Sequence, residues 1–207
     1  MNTHRYVSSS SLIERLGHWG LASTSVVLLL TGCGFLFSPL RGLHILAGGA
    51  RGMAIIHHIA GNFFLIALVI SFLVWIRECW PRGEDLAWLK SGRLFGSGTR
   101  LPQGGKFNAA QKIYFWGVIF FGLISSSSGW SLSRSSSFSP EFLAWCYALH
   151  TLSAAFFVMS GVIHVYIRIF INPGALTGIT LGRVSRSWAH HHRGKWLEKV
   201  EKQMEDY

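Results

Sequence analysis

Four stretches of this chain are long and apolar enough to fix what it can become. They run from about Leu12 to Phe37, Met53 to Ile76, Ala109 to Trp130 and Glu141 to Ile171. A hydrocarbon core of about 30 Å takes about 20 helical residues to cross. Inside lipid the backbone has to satisfy its own N–H and C=O groups, so each stretch is expected to be a helix. A length of 207 residues alone would suggest one soluble domain. Half of the residues are apolar and only 14% are charged, which moves the chain to the membrane class. The expected fold is an all-α, up-down bundle of four transmembrane helices over residues 1–171, followed by a basic tail at 172–207. The first apolar run is longer than the core of a signal peptide, and no A-x-A pattern follows it, so it reads as a retained helix.

Lys and Arg give the orientation. Two precede or open the first helix (Arg5, Arg15), six lie between Arg77 and Asn108, Lys112 follows, and seven lie from Arg168 onward. All of these fall on one side of a four-helix chain, while the opposite loops carry only Arg41, Arg51 and Arg134. The positive-inside rule then places both termini in the cytoplasm. The net charge of +10 is read as this topology signal. Lipid head groups account for basic segments beside a membrane, so no nucleic-acid partner is expected. Two segments, Glu84 to Leu94 and KWLEKVEKQ in the tail, suit short surface helices.

Cys33, Cys79 and Cys146 are isolated and read as small core filler. There is no C-x-x-C-H for covalent haem and no C-x-x-C pair for a cluster or a zinc ribbon. The serines at 125–128 fall inside the third helix, where small side chains let helices approach closely. Those at 135–137 fall in a short loop.

The chemistry is carried by histidines. His150 and His164 are 14 residues apart in the fourth segment. On an α-helix that spacing comes within about 40° of four turns and rises about 21 Å, so both rings share one face at opposite depths. His18 lies near the start of the first helix and His57 about one turn into the second, which matches those two depths. Topology pairs His18 with His164 and His57 with His150. A lone intramembrane histidine is often only an interhelical hydrogen-bonding group. Four at two matched depths, given what ionisable groups cost in lipid, fit two haems held one above the other. Two imidazoles on each iron make a low-spin centre suited to electron transfer. His58 is the alternative to His57, but Gly61, four residues on, shares the His57 face. Gly161 similarly precedes His164 by three, and Gly17 and Gly20 flank His18. Glycine there leaves room for a flat macrocycle, or else serves ordinary helix packing. Arg168 and Arg15 are the cations available to propionates at one depth, and Arg41 or Arg51 at the other; snorkelling is their bland alternative. His4 and His44 sit in a tail and a loop, and His190, His191 and His192 read as a solvated run.

Before the third helix lies KFNAAQK. Its Asn108 and Gln111 can donate and accept hydrogen bonds, as a quinone carbonyl and its reduced hydroxyl require. They also fit the positions of a helix cap.

At this point the residues resemble a family: the cytochrome b (gamma) subunits of respiratory formate dehydrogenases and related b-type cytochromes of molybdoenzymes and hydrogenases. The resemblance spans nearly the whole chain. It rests on RLGHW with His18, HHIAG with His57, KFNAAQK, the His150/His164 pair and the tail PGALTGITLGRVSRSWAHHHRGKW. It implies two haems b, with His18, His57, His150 and His164 as iron ligands. It implies a place in a bacterial inner membrane, beside an iron–sulfur beta subunit with its own membrane anchor and a periplasmic molybdenum or tungsten alpha subunit that oxidises formate. The outer haem would receive electrons and the inner one deliver them to menaquinone near the cytoplasm, with His164, Asn108 and Gln111 lining the quinone site. The chain departs from the family at Ala110, where Gly is frequent, and in its serine-rich 125–137 stretch. The competing expectations are the same role beside another molybdoenzyme or a NiFe hydrogenase, and a haem-free membrane anchor. A histidine proton or metal relay fits less well, because Glu14 and Glu141 lie only at helix ends.

Overall fold

The long helices begin where the sequence supplies caps. Ser11 and Glu14 form a capping box at the start of α1 (Leu12–Leu36): Ser11 N–H donates to Glu14 Oε2 at 2.7 Å and Glu14 N–H to Ser11 Oγ at 3.3 Å. Asn108 and Gln111 do the same for α5 (Ala109–Ser133). Ser139 caps α6 (Pro140–Tyr166), with Pro140 at the first helical position, where its missing N–H costs nothing. With α3 (Ala50–Cys79), and with α6 extended by a π-turn at Ile167–Ile171, these are four helices long and apolar enough to cross a membrane. The chain is an all-α membrane protein.

The computed structural model describes residues 5–90 and 105–205. The remaining elements are short: β1 (Tyr6–Ser8), α2 (Leu43–Leu46), α4 (Gly83–Lys90), α7 (Gly174–Thr180), β2 (Arg183–Ser185), α8 (Arg186–His192) and α9 (Gly194–Glu205). The surface helix expected over Glu84 to Leu94 is present as α4 up to Lys90; its last four residues, like His4, lie outside the described residues. The described residues fall into two compact units, one from 5–15, 73–90, 105–117 and 162–205, the other from 16–72 and 118–161.

In the first unit the tail is folded. Strand β2 pairs antiparallel with β1, Val7 opposite Val184. Val7, Val184, Ala189 and Leu197 form a small core flanked by Trp188, Trp196 and Val200. Helix α9 is amphipathic: Leu197 and Val200 face that core, and Glu201 on its other side pairs with Arg186. Gly182 turns the chain into β2 with a positive φ of 74°, and its carbonyl accepts from Ser9 N–H at 2.8 Å. Two ion pairs with little exposure tie the start of α5 to other elements, Glu14 with Lys106 and Asp85 with Lys112 at 2.8 Å. Trp75 Nε1–H donates to Glu14 at 2.9 Å, and Trp116 Nε1–H to the Cys79 carbonyl at 3.1 Å.

In the second unit the helices interlock around α3. Leu68 is 1% exposed and fills the space that a side chain at Gly122 would need, 2.8 Å from the position of its Cβ. Phe64 meets Phe157 edge-on, and Phe121 stacks on Phe156 with centroids 4.2 Å apart. The serines of α5 spend their hydroxyls on carbonyls one turn back, Ser128 on Ile124 and Ser131 on Ser127, so they add no unsatisfied donor to the apolar interior. The outward residues, such as Val26, Ile66, Leu123 and Leu152, are exposed and apolar, as lipid requires.

Gly174 is the tightest position in the folded tail. A Cβ there would run into the indole of Trp188, which is pinned by its Nε1–H donation to Asn172 at 2.8 Å and lies under Arg193. Gly174→Ala is expected to destabilise the protein by about 1–3 kcal/mol, read as a lower Tm in detergent. Gly83→Ala, which meets nothing within 4 Å, should leave Tm unchanged or slightly raised.

Candidate functional site

The second unit brings two of the four intramembrane histidines together. His57, on α3, and His150, on α6, face each other with ring centroids 6.2 Å apart and planes at 62°. His58 is exposed, so the helix turns its neighbour inward, as the Gly61 spacing suggests. Each inward ring has its Nδ1 held by the protein. His150 Nδ1 lies 3.0 Å from the Ser125 carbonyl and 3.2 Å from Ser128 Oγ. A carbonyl only accepts, so this nitrogen carries the proton. His57 Nδ1 lies 2.7 Å from Thr31 Oγ1, whose hydroxyl donates to the Val27 carbonyl at 2.7 Å. That hydroxyl therefore accepts from His57, which fixes the same tautomer. Both rings keep the Nε2 lone pair for a ligand.

The surroundings suit a bound macrocycle in some places and not in others. A Cβ at Gly61 would reach only Leu28, at 4.0 Å, and one at Gly161 would meet nothing within 4 Å. Gly17 and Gly20 are different. Their missing side chains admit Ser71 and Ala67 of α3 at 3.2 Å, so they serve helix packing, not a ligand. His44, on α2, has a buried Nε2 with no hydrogen-bond partner among the described residues, and its ring lies 5.5 Å from Phe35, itself 6.1 Å from His57. The paired Nε2 lone pairs, the space at Gly61 and this orphaned nitrogen fit a flat cofactor with polar edges. Among the described residues no group of three or more His, Cys, Asp or Glu converges as a bare metal ion would need. Arg41 and Arg51 are exposed.

The other two histidines are described each in its own unit. His18, on α1, is half-buried and meets Trp19 edge-on at 5.3 Å. His164, near the end of α6, stacks on Tyr114 at 4.9 Å with planes 14° apart. Arg168 lies in the π-turn one helical turn further on. Irregular turns of this kind recur at functional sites because they re-aim side chains. Arg15, by contrast, directs Nη1 to the Thr180 carbonyl at 3.3 Å, so its charge is engaged by the folded tail.

Asn108 and Gln111 make the reciprocal cap in full. Asn108 N–H donates to Gln111 Oε1 at 3.0 Å, and Gln111 N–H to Asn108 Oδ1 at 2.9 Å. The box uses the side-chain oxygens and leaves the amide NH2 groups as donors. Three participants escape a reading of the sequence. Thr31 belongs to no motif. Tyr114 is three residues after Gln111, a same-face spacing that points to it once Gln111 is suspected. Arg193 of the tail is partly buried, with Ser9 Oγ at 3.1 Å and the Trp188 ring at 5.1 Å. Burial first, and then the charge of Arg168, pull its pKa down to about 10, while Glu14 opposes them.

Comparison with known proteins agrees with this chemistry. The profile of a family described as prokaryotic cytochrome b561 matches residues 9–181. The cytochrome b556(Fdn) subunit of the nitrate-inducible formate dehydrogenase of Escherichia coli strain K12 is 26% identical over 98% of this chain and 95% of its own length. The cytochrome b556(fdo) subunit of a formate dehydrogenase from the same strain is 26% identical over 93% of this chain and 92% of its own. The formate dehydrogenase cytochrome b556 subunit of Haemophilus influenzae is 27% identical over 93% of this chain and 83% of its own.

The orientation of the adjacent histidines sets a direct expectation. His57→Ala should lower the haem bound per chain, whereas His58→Ala, at an exposed ring, should leave it unchanged, as measured by a pyridine haemochrome assay.

Proposed function

We propose, since the chain belongs to the prokaryotic cytochrome b561 family, that it is the dihaem membrane subunit of a formate dehydrogenase, carrying electrons from a periplasm-facing iron–sulfur subunit to menaquinone at the cytoplasmic side. Membership itself makes the chain a membrane cytochrome b with an electron-transfer role and haem b as its cofactor. The finer reading adds two haems, the bacterial inner membrane, cytoplasmic termini, and partners comprising an iron–sulfur beta subunit and a molybdenum or tungsten alpha subunit. The observation that carries it is the His57–His150 pair, with both Nδ1 protons already committed to protein acceptors.

When bound, each haem b supplies a one-electron iron couple. The chain's own residues do the rest. His57 and His150 would hold one haem through Nε2, and His18 and His164, by their matched depth in the sequence, would hold the other. Held by two imidazoles, each haem would serve electron transfer and not oxygen chemistry. Arg168, with Arg193 beside it, offers positive charge to carboxylates at the inner end. The lipid-facing surfaces exclude water between the two ends.

Menaquinone takes up two electrons and two protons on reduction to its quinol. In this reading Asn108 and Gln111 donate from their NH2 groups to the quinone oxygens. His164, stacked on Tyr114, stands at the same end of the chain's electron path. Protons taken up there from the cytoplasm, against those released by formate oxidation outside, make a redox loop. The relatives' names support formate dehydrogenase as the partner enzyme ahead of another molybdoenzyme or a NiFe hydrogenase.

Two substitutions test the reading in the purified complex. His164→Ala should lose one haem and quinol formation together; a variant that keeps both removes His164 from the ligand set. Asn108→Asp keeps the helix cap, because aspartate is as good an N-cap, but removes the NH2 donor. It should lower quinol formation roughly tenfold with Tm unchanged, consistent with about 1–1.5 kcal/mol for one hydrogen bond. Asn108→Ala should lower both. An Asn108→Asp variant with full quinone reduction assigns the residue to capping alone.

A further inference from the structure

The reading above assigns the His57 and His150 rings a role but none to the groups that hold them, Thr31 of α1 and the serines of α5. Both lie against the paired histidines. Thr31 is 6% exposed, on α1, one helical turn after Val27. Its hydroxyl hydrogen is spent on the Val27 carbonyl at 2.7 Å, so its lone pair is what the His57 Nδ1–H meets, also at 2.7 Å. A threonine back-bonding within a membrane helix is common. One that also accepts from an imidazole on another helix fixes that ring's tautomer and its rotation about χ2. On the opposite side, Ser128 donates to the Ile124 carbonyl at 2.6 Å, so it too can only accept from His150, beside the Ser125 carbonyl. Gly129 completes the seat: a Cβ there would lie 2.9 Å from His150 Cε1, so no larger residue lets the ring sit where it does.

We propose that Thr31, and on the other side the Ser125 carbonyl with the Ser128 hydroxyl, are positioning groups for the His57/His150 haem, aiming both Nε2 atoms at one iron and lowering that centre's reduction potential. The inference rests on the dihaem reading. The physical cause is general. An acceptor on Nδ1–H raises the electron density and basicity of Nε2, and a more basic ligand favours ferric over ferrous iron. The two histidines are served unequally, His57 by one hydroxyl and His150 by a carbonyl plus a hydroxyl. Removing Thr31's hydroxyl therefore strips His57 Nδ1 of the only acceptor it meets among the described residues. The surroundings are apolar, with Phe35 at 6.1 Å and Met53 4% exposed in the same unit. In such a medium a single hydrogen bond counts for more than it would in water.

The test is a spectroelectrochemical titration of the haems in the purified full-length complex, comparing wild type, Thr31→Val, Thr31→Ser and Ser128→Ala. Valine keeps the volume and branching of threonine but cannot accept a hydrogen bond; serine keeps the hydroxyl. The expected result is a rise of one haem's midpoint potential in Thr31→Val, a three- to tenfold shift in its ferrous-to-ferric ratio at fixed potential, with the other haem unmoved. Thr31→Ser should restore the wild-type value, and Ser128→Ala should raise the same potential by less. Loss of one haem in Thr31→Val with retention in Thr31→Ser also supports the role. The proposal is overturned by an unchanged potential in Thr31→Val, by both haems shifting equally, or by equal loss in the valine and serine variants, which would make Thr31 a packing residue. Wild-type protein without two haems would instead overturn the dihaem reading itself, and the haem content measured before the titration separates the two failures.

Discussion

A neutral imidazole in hydrocarbon has one N–H to give away, and no water is there to take it. The second unit solves this for two rings at once. Val27 accepts from Thr31, Thr31 from His57, and the Ser125 carbonyl from His150. Every donor in that series ends on a backbone carbonyl, so the rings are satisfied on one side and face each other on the other. The cost of an unsatisfied polar group in an apolar interior is about 1–3 kcal/mol, enough to hold both tautomers. Around the pair, Ser128 and Ser131 bond to their own helix, the helices approach closely at Gly17, Gly20 and Gly122, and the outer surface is apolar.

The first unit meets the opposite requirement, which is to organise charge. Glu14 ties the start of α1 to Lys106 and Trp75, and Asp85 on α4 ties Lys112 of α5. Buried ion pairs of this sort add little net stability, because desolvation offsets their attraction. Their effect is positional: they bracket Asn108 and Gln111 on either side and fix where α5 begins. The folded tail adds a second layer. Strand β2, pinned against β1, carries the chain to Arg193, whose guanidinium sits among Phe107, Trp188 and Trp196 near the charge of Arg168. Two cations brought together in aromatic surroundings repel each other, and an acidic group between them would relieve the strain.

Much of this was legible from sequence because it depends on local rules. Helix length against bilayer thickness marked the four spans, and N-x-x-Q marked the start of α5; the Ser11/Glu14 box at the start of α1 emerged only from the structure. The inward orientation of His57 over His58 followed from helical spacing to Gly61. The folded tail was not legible: Val184 finds its partner in Val7 at the far end of the chain, and a basic composition conceals a core of only a few residues. Thr31 was invisible for a related reason. Its importance comes from which helix lies opposite, not from any pattern within its own. At Gly17 and Gly20 the sequence left room for a ligand and ordinary helix packing as alternatives, and the structure takes the second, with Ser71 and Ala67 in the space.

The central claim is that four histidines at two depths hold two haems. The direct measurement is a dithionite-reduced minus oxidised spectrum of the purified complex, with a pyridine haemochrome assay calibrated to the amount of this chain. The account predicts two haems b per copy. One haem would contradict the pairing of His18 with His164 or of His57 with His150, and none would contradict the electron-transfer role altogether.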